Sequence, residues 1–211
     1  IRFIHYGYKD AIKGSETFFR SVDSVRPGQV LTIGSNAMVK ASKVYSIDES
    51  EDWESDPQVW PKLCRDLIIS SLDKRLRSDV PIGFCLSGGV DSNILASVAT
   101  KILGKKILPY TVGNPDENYG ELSLTKLGAK SLNSELQVWR AGTLDLWSSL
   151  LAMSSRYDHP VFTINYVEHW GMMSKMRQDG IKVSISGTGA DELFTGYYDH
   201  HLYMLSTLKL D

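Results

Sequence analysis

The chain has little cysteine, no strong charge excess and no long apolar run. Its two cysteines, Cys64 and Cys85, form no CxxC pair or zinc-spaced Cys/His cluster, so no structural metal is expected. A disulfide between them stays open, although a reducing cytoplasm fits at least as well. The net charge of −2 gives no basic footprint for nucleic acid, and no apolar run approaches the ~20 residues that cross a bilayer. We therefore expect a cytoplasmic protein with neither nucleic acid nor membrane as a partner.

Three regions of the 211-residue chain differ in composition. Residues 1–45 contain short β-like runs, such as 29–33, and predict a short N-terminal β appendage. Residues 46–58 are acidic and poor in aliphatic side chains, which is typical of a linker or loop. From residue 59 to residue 211, strand-like runs alternate with helical patterns. This alternation predicts an α/β fold with a parallel sheet flanked by helices.

The periodicity of the third region predicts individual elements. Helices are expected at 59–77, 92–103, 121–132, 143–155 and 167–178, and strands at 81–86, 106–112, 135–139 and 181–186. In a parallel sheet the strands present their carboxyl ends at one edge, where ligands bind. The loops that follow the first and last of these strands are therefore the places to search for chemistry.

The first of these loops carries the string Ser-Gly-Gly-Val-Asp-Ser at 87–92. Its two glycines let the backbone turn tightly and approach a ligand closely, and the N–H groups at a helix start favour an anion. Ser87 and Ser92 add hydroxyl donors, whereas Asp91 would repel a polyphosphate unless Mg²⁺ bridged the two. The string is neither a Walker A loop nor a dinucleotide fingerprint. It predicts a phosphate site; a plain glycine turn with Asp91 as the helix N-cap is the alternative.

The second loop carries Ser-Gly-Thr-Gly-Ala-Asp-Glu-Leu-Phe-Thr-Gly-Tyr-Tyr at 186–198. Its glycines allow close approach to a ligand, and Asp191 and Glu192 stand where a helix is expected to begin. Because both loops follow strands of one sheet, Asp91 and Asp191 could share one Mg²⁺ that carries pyrophosphate. Helix capping by Asp191 without a metal is the alternative.

Together these strings resemble a known family. The first is similar to the PP-loop of adenylating ATP pyrophosphatases, and the second to the SGxGxDExFxGY motif of asparagine synthetases. Residues 17–28 resemble the end of the glutaminase domain that precedes the synthetase domain in that family, departing from it at Arg26. The resemblance implies a glutaminase tail at 1–45, a linker at 46–58 and an ATP-pyrophosphatase domain of the adenine nucleotide α-hydrolase type at 59–211.

The resemblance also implies roles for individual residues. Pyrophosphate contacts would come from Ser87, Gly88, Gly89, Asp91 and Ser92. Backbone groups of Leu86 and Val112 would hold the adenine, and Ser186 and Gly187 the ribose and α-phosphate. Asp91 and Asp191 would be the catalytic carboxylates associated with Mg²⁺. Thr188, Asp158 and Glu192 are candidate substrate contacts, although Asp158 is equally compatible with an ordinary turn.

The implied activity is ATP-dependent amide formation. A carboxylate, foremost that of aspartate, would be adenylated with release of pyrophosphate, and ammonia would then displace AMP. Thr188 departs from the family, in which asparagine synthetases carry Glu and related β-lactam-forming enzymes carry Tyr. Since a Thr hydroxyl cannot take a proton near neutrality, amidation or ring closure of another carboxylate stays open, as does a nucleotide-binding fragment without turnover. A PP-loop tRNA-modifying enzyme is disfavoured by the charge and by the second motif.

Partners follow from the same resemblance. Glutaminases of this class use an N-terminal Cys, whereas this chain begins with Ile1, so we expect the ammonia source to be a glutaminase domain absent from the chain. The family's synthetase domain also continues beyond the point that corresponds to Asp211, with a lysine that stabilises the adenylating transition state. A homodimer is a further expectation.

Overall fold

A computed structural model of the protein describes residues 15–43, 56, 58–114, 116 and 120–207. Its strands are β1 (Gln29–Ile33), β2 (Val39–Lys43), β3 (Ile82–Cys85), β4 (Leu108–Gly113), β5 (Gln137–Arg140) and β6 (Val183–Ile185). Its helices are α1 (Trp60–Arg75), α2 (Val90–Ser97), α3 (Leu122–Ser131), α4 (Leu146–Tyr157), α5 (Asn165–Gln178), α6 (Ala190–Phe194) and α7 (Tyr198–Thr207). Each helix and strand predicted from residue 59 onward is found, with bounds shifted by a few residues.

The chain divides into two compact units, 1–56 with 146–166 and 57–145 with 167–211. The first unit contains an antiparallel hairpin in which β1 pairs with β2 from Gln29 opposite Lys43 to Ile33 opposite Val39. The Gly34 N–H donates to the Met38 carbonyl at 2.9 Å and closes its turn. The predicted N-terminal β appendage is confirmed. The linker prediction at 46–58 falls almost wholly outside the described residues, and the family-based domain division stays a prediction.

The second unit is built on a four-stranded sheet in the order β5-β4-β3-β6, with every neighbouring pair parallel. The predicted parallel sheet flanked by helices is confirmed. Parallel pairing requires a crossover between neighbouring strands, and the chain supplies α2 between β3 and β4 and α3 between β4 and β5. Strand β3 lies inside the sheet, so the loop that follows it emerges between two neighbours.

Two apolar clusters pack against this sheet. The first joins Phe84 of β3 to α1, α2 and α3 through residues such as Leu72, Ala96 and Ala129. The second joins Tyr110 of β4 to Met172 and Met176 of α5, with Cys85 of β3 packed against it. Adjacent strand residues point to opposite faces, which is why Phe84 and Cys85 belong to different clusters. The sheet therefore has helices on both faces.

Local features of the sequence explain where several elements end. Helix α2 continues as a π-helical turn, Val98–Ile102, and the chain then turns at Gly104, whose φ is +64°. A glycine in this left-handed conformation is a common helix end, and it lies directly after the helix predicted at 92–103. Both cysteines are free thiols, so the disulfide alternative is not realised. Within the described part of the chain, no helix has the length and apolar character needed to cross a membrane.

Candidate active site

The carboxyl ends of β3, β4 and β6 surround a cleft of about 360 Å³. It is lined by Cys85, Leu86, Ser87, Gly89, Asp91, Ser92, Tyr110, Thr111, Val112, His169, Met172, Ser186, Gly187, Thr188 and Asp191. Both loops singled out in the sequence contribute to this lining, as expected for loops at one edge of a parallel sheet. The volume lies in the range of small-molecule sites. Of the predicted site residues, only Gly88, Glu192 and Asp158 are not among those that line it.

The loop after β3 is held mainly by its own serines. Leu86 is buried, and its N–H donates to the Tyr110 carbonyl at 2.8 Å, which continues the pairing of β3 with β4. The Ser87 N–H then donates to Ser92 Oγ at 3.0 Å. The two hydroxyl oxygens lie 2.9 Å apart and share a hydrogen bond. A buried Ser92 side chain thus closes the loop back onto the first turn of α2.

The backbone N–H groups at the start of α2 are not capped by a side chain. Gly89 is its N-cap residue, with extended backbone angles, and no side chain caps the helix. Asn93 Nδ2 donates hydrogen bonds to two carbonyls of the loop, that of Ser87 at 2.9 Å and that of Gly89 at 2.7 Å. The carbonyls are therefore satisfied, while the N–H groups of the first turn stay uncapped by a side chain, as in anion sites at helix starts. Sequence analysis missed Asn93, although its place directly after the motif was a usable signal.

Gly88 packs on the start of α3. Its N–H donates to Glu121 Oε2 at 3.1 Å. A Cβ added at Gly88 would lie 2.8 Å from the Cβ of Glu121 and 3.0 Å from that of Leu124, so a glycine is required for this close approach. The structure thus places Gly88 against α3, while Ser87 and Gly89 on either side of it line the cleft.

The second loop meets the first through Gly187. A Cβ added there would lie 2.9 Å from the backbone nitrogen of Ser92 and 3.1 Å from the Cβ of Asp91. The backbone of the second motif therefore lies directly against the first turn of α2. Within the loop, Ser186 Oγ and Thr188 Oγ1 share a hydrogen bond at 2.6 Å, and the Thr188 N–H donates to Ser186 Oγ at 3.0 Å.

Asp91 and Asp191 both line the cleft, one from each loop. Neither carboxylate is paired with a cation within the part of the chain that the structure describes. Within those same residues, no three His, Cys, Asp or Glu side chains are placed to hold a metal by themselves. Mg²⁺ commonly binds to one or two carboxylates together with substrate phosphates. Two carboxylates beside a helix start whose N–H groups are uncapped by side chains would fit a metal that arrives with a phosphate ligand.

Other groups that line the cleft differ in their capacity to exchange protons. Burial, followed by the hydrogen bond to Asp179, raises the pKa of Tyr110 to about 12. Burial also raises the pKa of the Cys85 thiol. His169 of α5 is the one imidazole among the lining residues. The sequence analysis missed it because α5 carries no motif, and only the packing of α5 on the sheet brings His169 to the cleft.

The remaining candidate contacts lie elsewhere. Glu192 is exposed, and its carboxylate accepts a hydrogen bond from the Tyr197 hydroxyl at 2.9 Å, within the second motif itself. Asp158 belongs to the first unit and has a left-handed backbone with φ of +57°, as a turn residue can. Substrate contact by either residue stays a prediction.

Comparisons with known proteins agree with this picture. The asparagine synthase family model matches residues 63–210. The chain is 29% identical over 176 residues to "Asparagine synthetase [glutamine-hydrolyzing] 1" of Bacillus subtilis, which covers 83% of this chain and 27% of that protein. It is 32% identical over 154 residues to the nodule asparagine synthetase [glutamine-hydrolyzing] of Pisum sativum, covering 67% of this chain and 26% of that protein.

Other similarities are more distant. "Amidase chry2" of Gibberella zeae is 26% identical over 201 residues, covering 87% of this chain and 30% of that protein. The chain thus spans less than a third of the length of these three relatives. A solved NH3-dependent NAD synthetase from Campylobacter jejuni covers 67% of this chain and 61% of its own, at 18% identity and a TM-score of 0.39. A TM-score this low carries no argument, so the fold assignment rests on the strand order above.

Proposed function

The chain belongs to the asparagine synthase family, and on that premise we propose that it contains the ATP-splitting site of an amide-forming enzyme. A carboxylate would be activated by MgATP and then converted to an amide by ammonia. The observation that carries the proposal is the contact of Gly187 with the first turn of α2. Because of that contact, the loops that follow β3 and β6 line the same cleft. Both loops are rich in glycine and carry hydroxyl side chains.

The proposed place for the departing pyrophosphate is the loop 87–92. The uncapped N–H groups of α2 and the one hydroxyl proton that the Ser87–Ser92 hydrogen bond leaves over would be donors to phosphate oxygens. Because these donors are held by the protein before the ligand arrives, they stabilise developing charge without reorganisation during the reaction. Asp91 and Asp191 would hold Mg²⁺, which neutralises phosphate charge when it is bound.

The reaction we propose has two steps. An oxygen of the substrate carboxylate attacks the α-phosphorus of ATP, and the bond to the β-phosphate oxygen breaks, releasing pyrophosphate and leaving an acyl-adenylate. Ammonia then attacks the acyl carbon, the bond to the AMP oxygen breaks, and the nitrogen loses one proton. We assign acceptance of that proton to His169, because imidazole is the side chain best suited to proton transfer near neutral pH. The Thr188 hydroxyl has no such capacity and is hydrogen-bonded to Ser186.

Aspartate is the proposed acyl substrate, since several relatives carry the name asparagine synthetase. Thr188 supports a second candidate function, which is amidation or ring closure of a different carboxylate. Its uncharged hydroxyl lines the cleft, whereas recognition of a charged group would call for a charged side chain there. A nucleotide-binding fragment without turnover is the third outcome to be tested. A glutaminase domain as ammonia source, a homodimer and a cytoplasmic location stay predictions.

Pyrophosphate release from MgATP and ammonia tests the proposal, first with aspartate and then with a panel of other carboxylic acids. Wild type is compared with Asp91→Ala and with Asp73→Ala, a control on α1 whose carboxylate pairs with Arg77. Release that depends on aspartate and is lost only in Asp91→Ala supports asparagine formation. Release with another acid alone identifies a different amide. ATP binding without pyrophosphate release under any condition would support the third outcome, a nucleotide-binding fragment without turnover.

His169→Gln separates the two steps in the same assay. Pyrophosphate release should persist, while amide formed per pyrophosphate should fall by about a hundredfold or more, the usual contribution of a general base. His201→Gln is the matched control, since His201 is exposed on α7 and does not line the cleft. Equal amide yields from His169→Gln and wild type between pH 6 and 9 would remove His169 from the mechanism.

A further inference from the structure

A carboxylate from outside the cleft is bonded to the backbone of the phosphate loop. Glu121 Oε2 accepts the Gly88 N–H at 3.1 Å, although the two residues are 33 positions apart. Glu121 directly precedes α3 and is its N-cap residue, yet its side chain makes no cap to that helix. Its carboxylate is used on the loop instead. Sequence analysis gave no role to Glu121.

The backbone of Glu121 is itself held firmly. Its carbonyl accepts both the N–H and the hydroxyl of Thr125, each at 2.9 Å, and Thr125 is only 1% exposed. Leu124 of the same turn lies under Gly88. The loop thus rests on the first turn of α3, which is anchored by the buried Thr125, and the Glu121 carboxylate joins the loop to that turn.

The orientation of the loop follows from this attachment. Gly88 faces α3, whereas Ser87 and Gly89 line the cleft. A hydrogen bond to an ionised acceptor is roughly twice as strong as one between neutral groups. A bond at the middle glycine therefore holds the residues on either side toward the ligand.

We infer that Glu121 is a positioning residue that holds the phosphate loop in its ligand-binding form through the Gly88 N–H. It does so without lining the cleft itself. The ligand class, a pyrophosphate or the phosphates of a nucleotide, rests on the proposed function. An opposite role is conceivable on charge alone, because a carboxylate on a loop N–H competes with a phosphate for the same donor. The two roles predict changes of opposite sign when the carboxylate is removed.

The experiment compares Glu121→Ala and Glu121→Gln with wild type in the full chain, by calorimetric binding of magnesium pyrophosphate and of MgATP. Glu121→Ala should weaken both by about tenfold, the size expected for one charge-assisted bond. Glu121→Gln keeps an acceptor oxygen and should stay within about threefold of wild type. Glu135→Ala, which removes an exposed carboxylate that does not line the cleft, is the matched control and should bind as wild type does.

Amide hydrogen exchange gives a second readout that needs no ligand. In Glu121→Ala the Gly88 amide should exchange at least about tenfold faster, while amides of the sheet stay protected. Unchanged exchange at Gly88, or tighter pyrophosphate binding by Glu121→Ala, would overturn the inference. If wild type binds neither ligand, the proposed function fails, yet the exchange at Gly88 still decides whether Glu121 holds the loop.

Discussion

The two loops of the cleft are built in different ways. The loop 87–92 follows a strand inside the sheet, closes on a buried serine and is attached to α3 by Glu121. The second loop begins at Ser186, directly after the edge strand β6. It leads into α6, a five-residue helix with no buried residue. Leu193 of that helix is 79% exposed. The first loop is therefore held by buried and distant residues, whereas the second is held by hydrogen bonds within its own, largely exposed segment.

This difference assigns separate tasks to the loops. A donor array that must stabilise phosphate charge benefits from being held before the ligand binds, and the first loop is held by side chains from α2 and α3. The second loop touches the first through Gly187, so its position relative to the first turn of α2 depends on that contact. A substitution at Gly187 therefore tests most directly whether the second loop depends on the first.

Gly187→Ala should have the largest effect of the three changes that follow. The added methyl group would lie 2.9 Å from the Ser92 nitrogen, so the loops must separate. Overpacking of this kind costs about 1–3 kcal/mol, which predicts MgATP binding weaker by about fivefold or more in calorimetry. Gly104→Ala is the control: its φ of +64° makes the added Cβ costly for stability, but the Cβ meets open space and touches neither loop, so MgATP binding should be unchanged. Wild-type affinity in Gly187→Ala would show that the loops do not depend on this contact.

Equivalent hydroxyl deletions in the two loops should have unequal effects on stability. Ser92→Ala leaves the Ser87 N–H without its acceptor beside a buried position and should lower the free energy of unfolding by about 1–2 kcal/mol. Thr188→Ala removes an exposed hydroxyl bonded to Ser186 and should change it by less than about 0.5 kcal/mol. Urea denaturation of both variants measures the difference. Similar losses would mean that the second loop is as firmly built as the first.

The third effect is confined to alkaline pH and concerns Tyr110, whose carbonyl anchors the first loop at Leu86. Its pKa of about 12 in the folded protein exceeds the ordinary value of 10.0. The folded state thus holds this proton more tightly, so its stabilising contribution is complete below pH 10 and is lost as the pH rises toward 12. Stability measured from pH 9 to 12 should fall less steeply in Tyr110→Phe than in wild type. Equal slopes would contradict the assigned pKa.

Sequence periodicity was sufficient to predict most helices and strands of the second unit. The runs at 81–86 and 181–186 and the helical spacing at 167–178 gave β3, β6 and α5 with bounds wrong by a few residues only. Glycines beside serines and aspartates located both loops, because such residues between a strand and a helix are typical of phosphate-binding turns. The predicted site residues that the structure does not bring to the cleft are Gly88, Glu192 and Asp158.

The residues that the sequence did not reveal share one property. Asn93 and Gly128 form a pair, since a Cβ at Gly128 would collide with the Asn93 side chain, and this makes a glycine necessary in the middle of α3. Glu121 and His169 lie on elements without motifs. Each contacts a residue or lines a cleft that the fold brings close from another part of the sequence, and for Glu121 and His169 nothing in the neighbouring sequence marks them out from ordinary polar residues.

The amino-acid sequence by itself determined the order of strands and helices, the parallel sheet and the two loops that line the cleft. These follow from local patterns, since a hydrophobic period and a glycine turn need only neighbouring residues. Tertiary structure decided that Gly187 lies on α2, that Glu121 holds Gly88, and that His169 reaches the cleft. Those contacts depend on the strand order and on how α3 and α5 pack on the sheet, and burial of apolar area across the whole unit sets that packing.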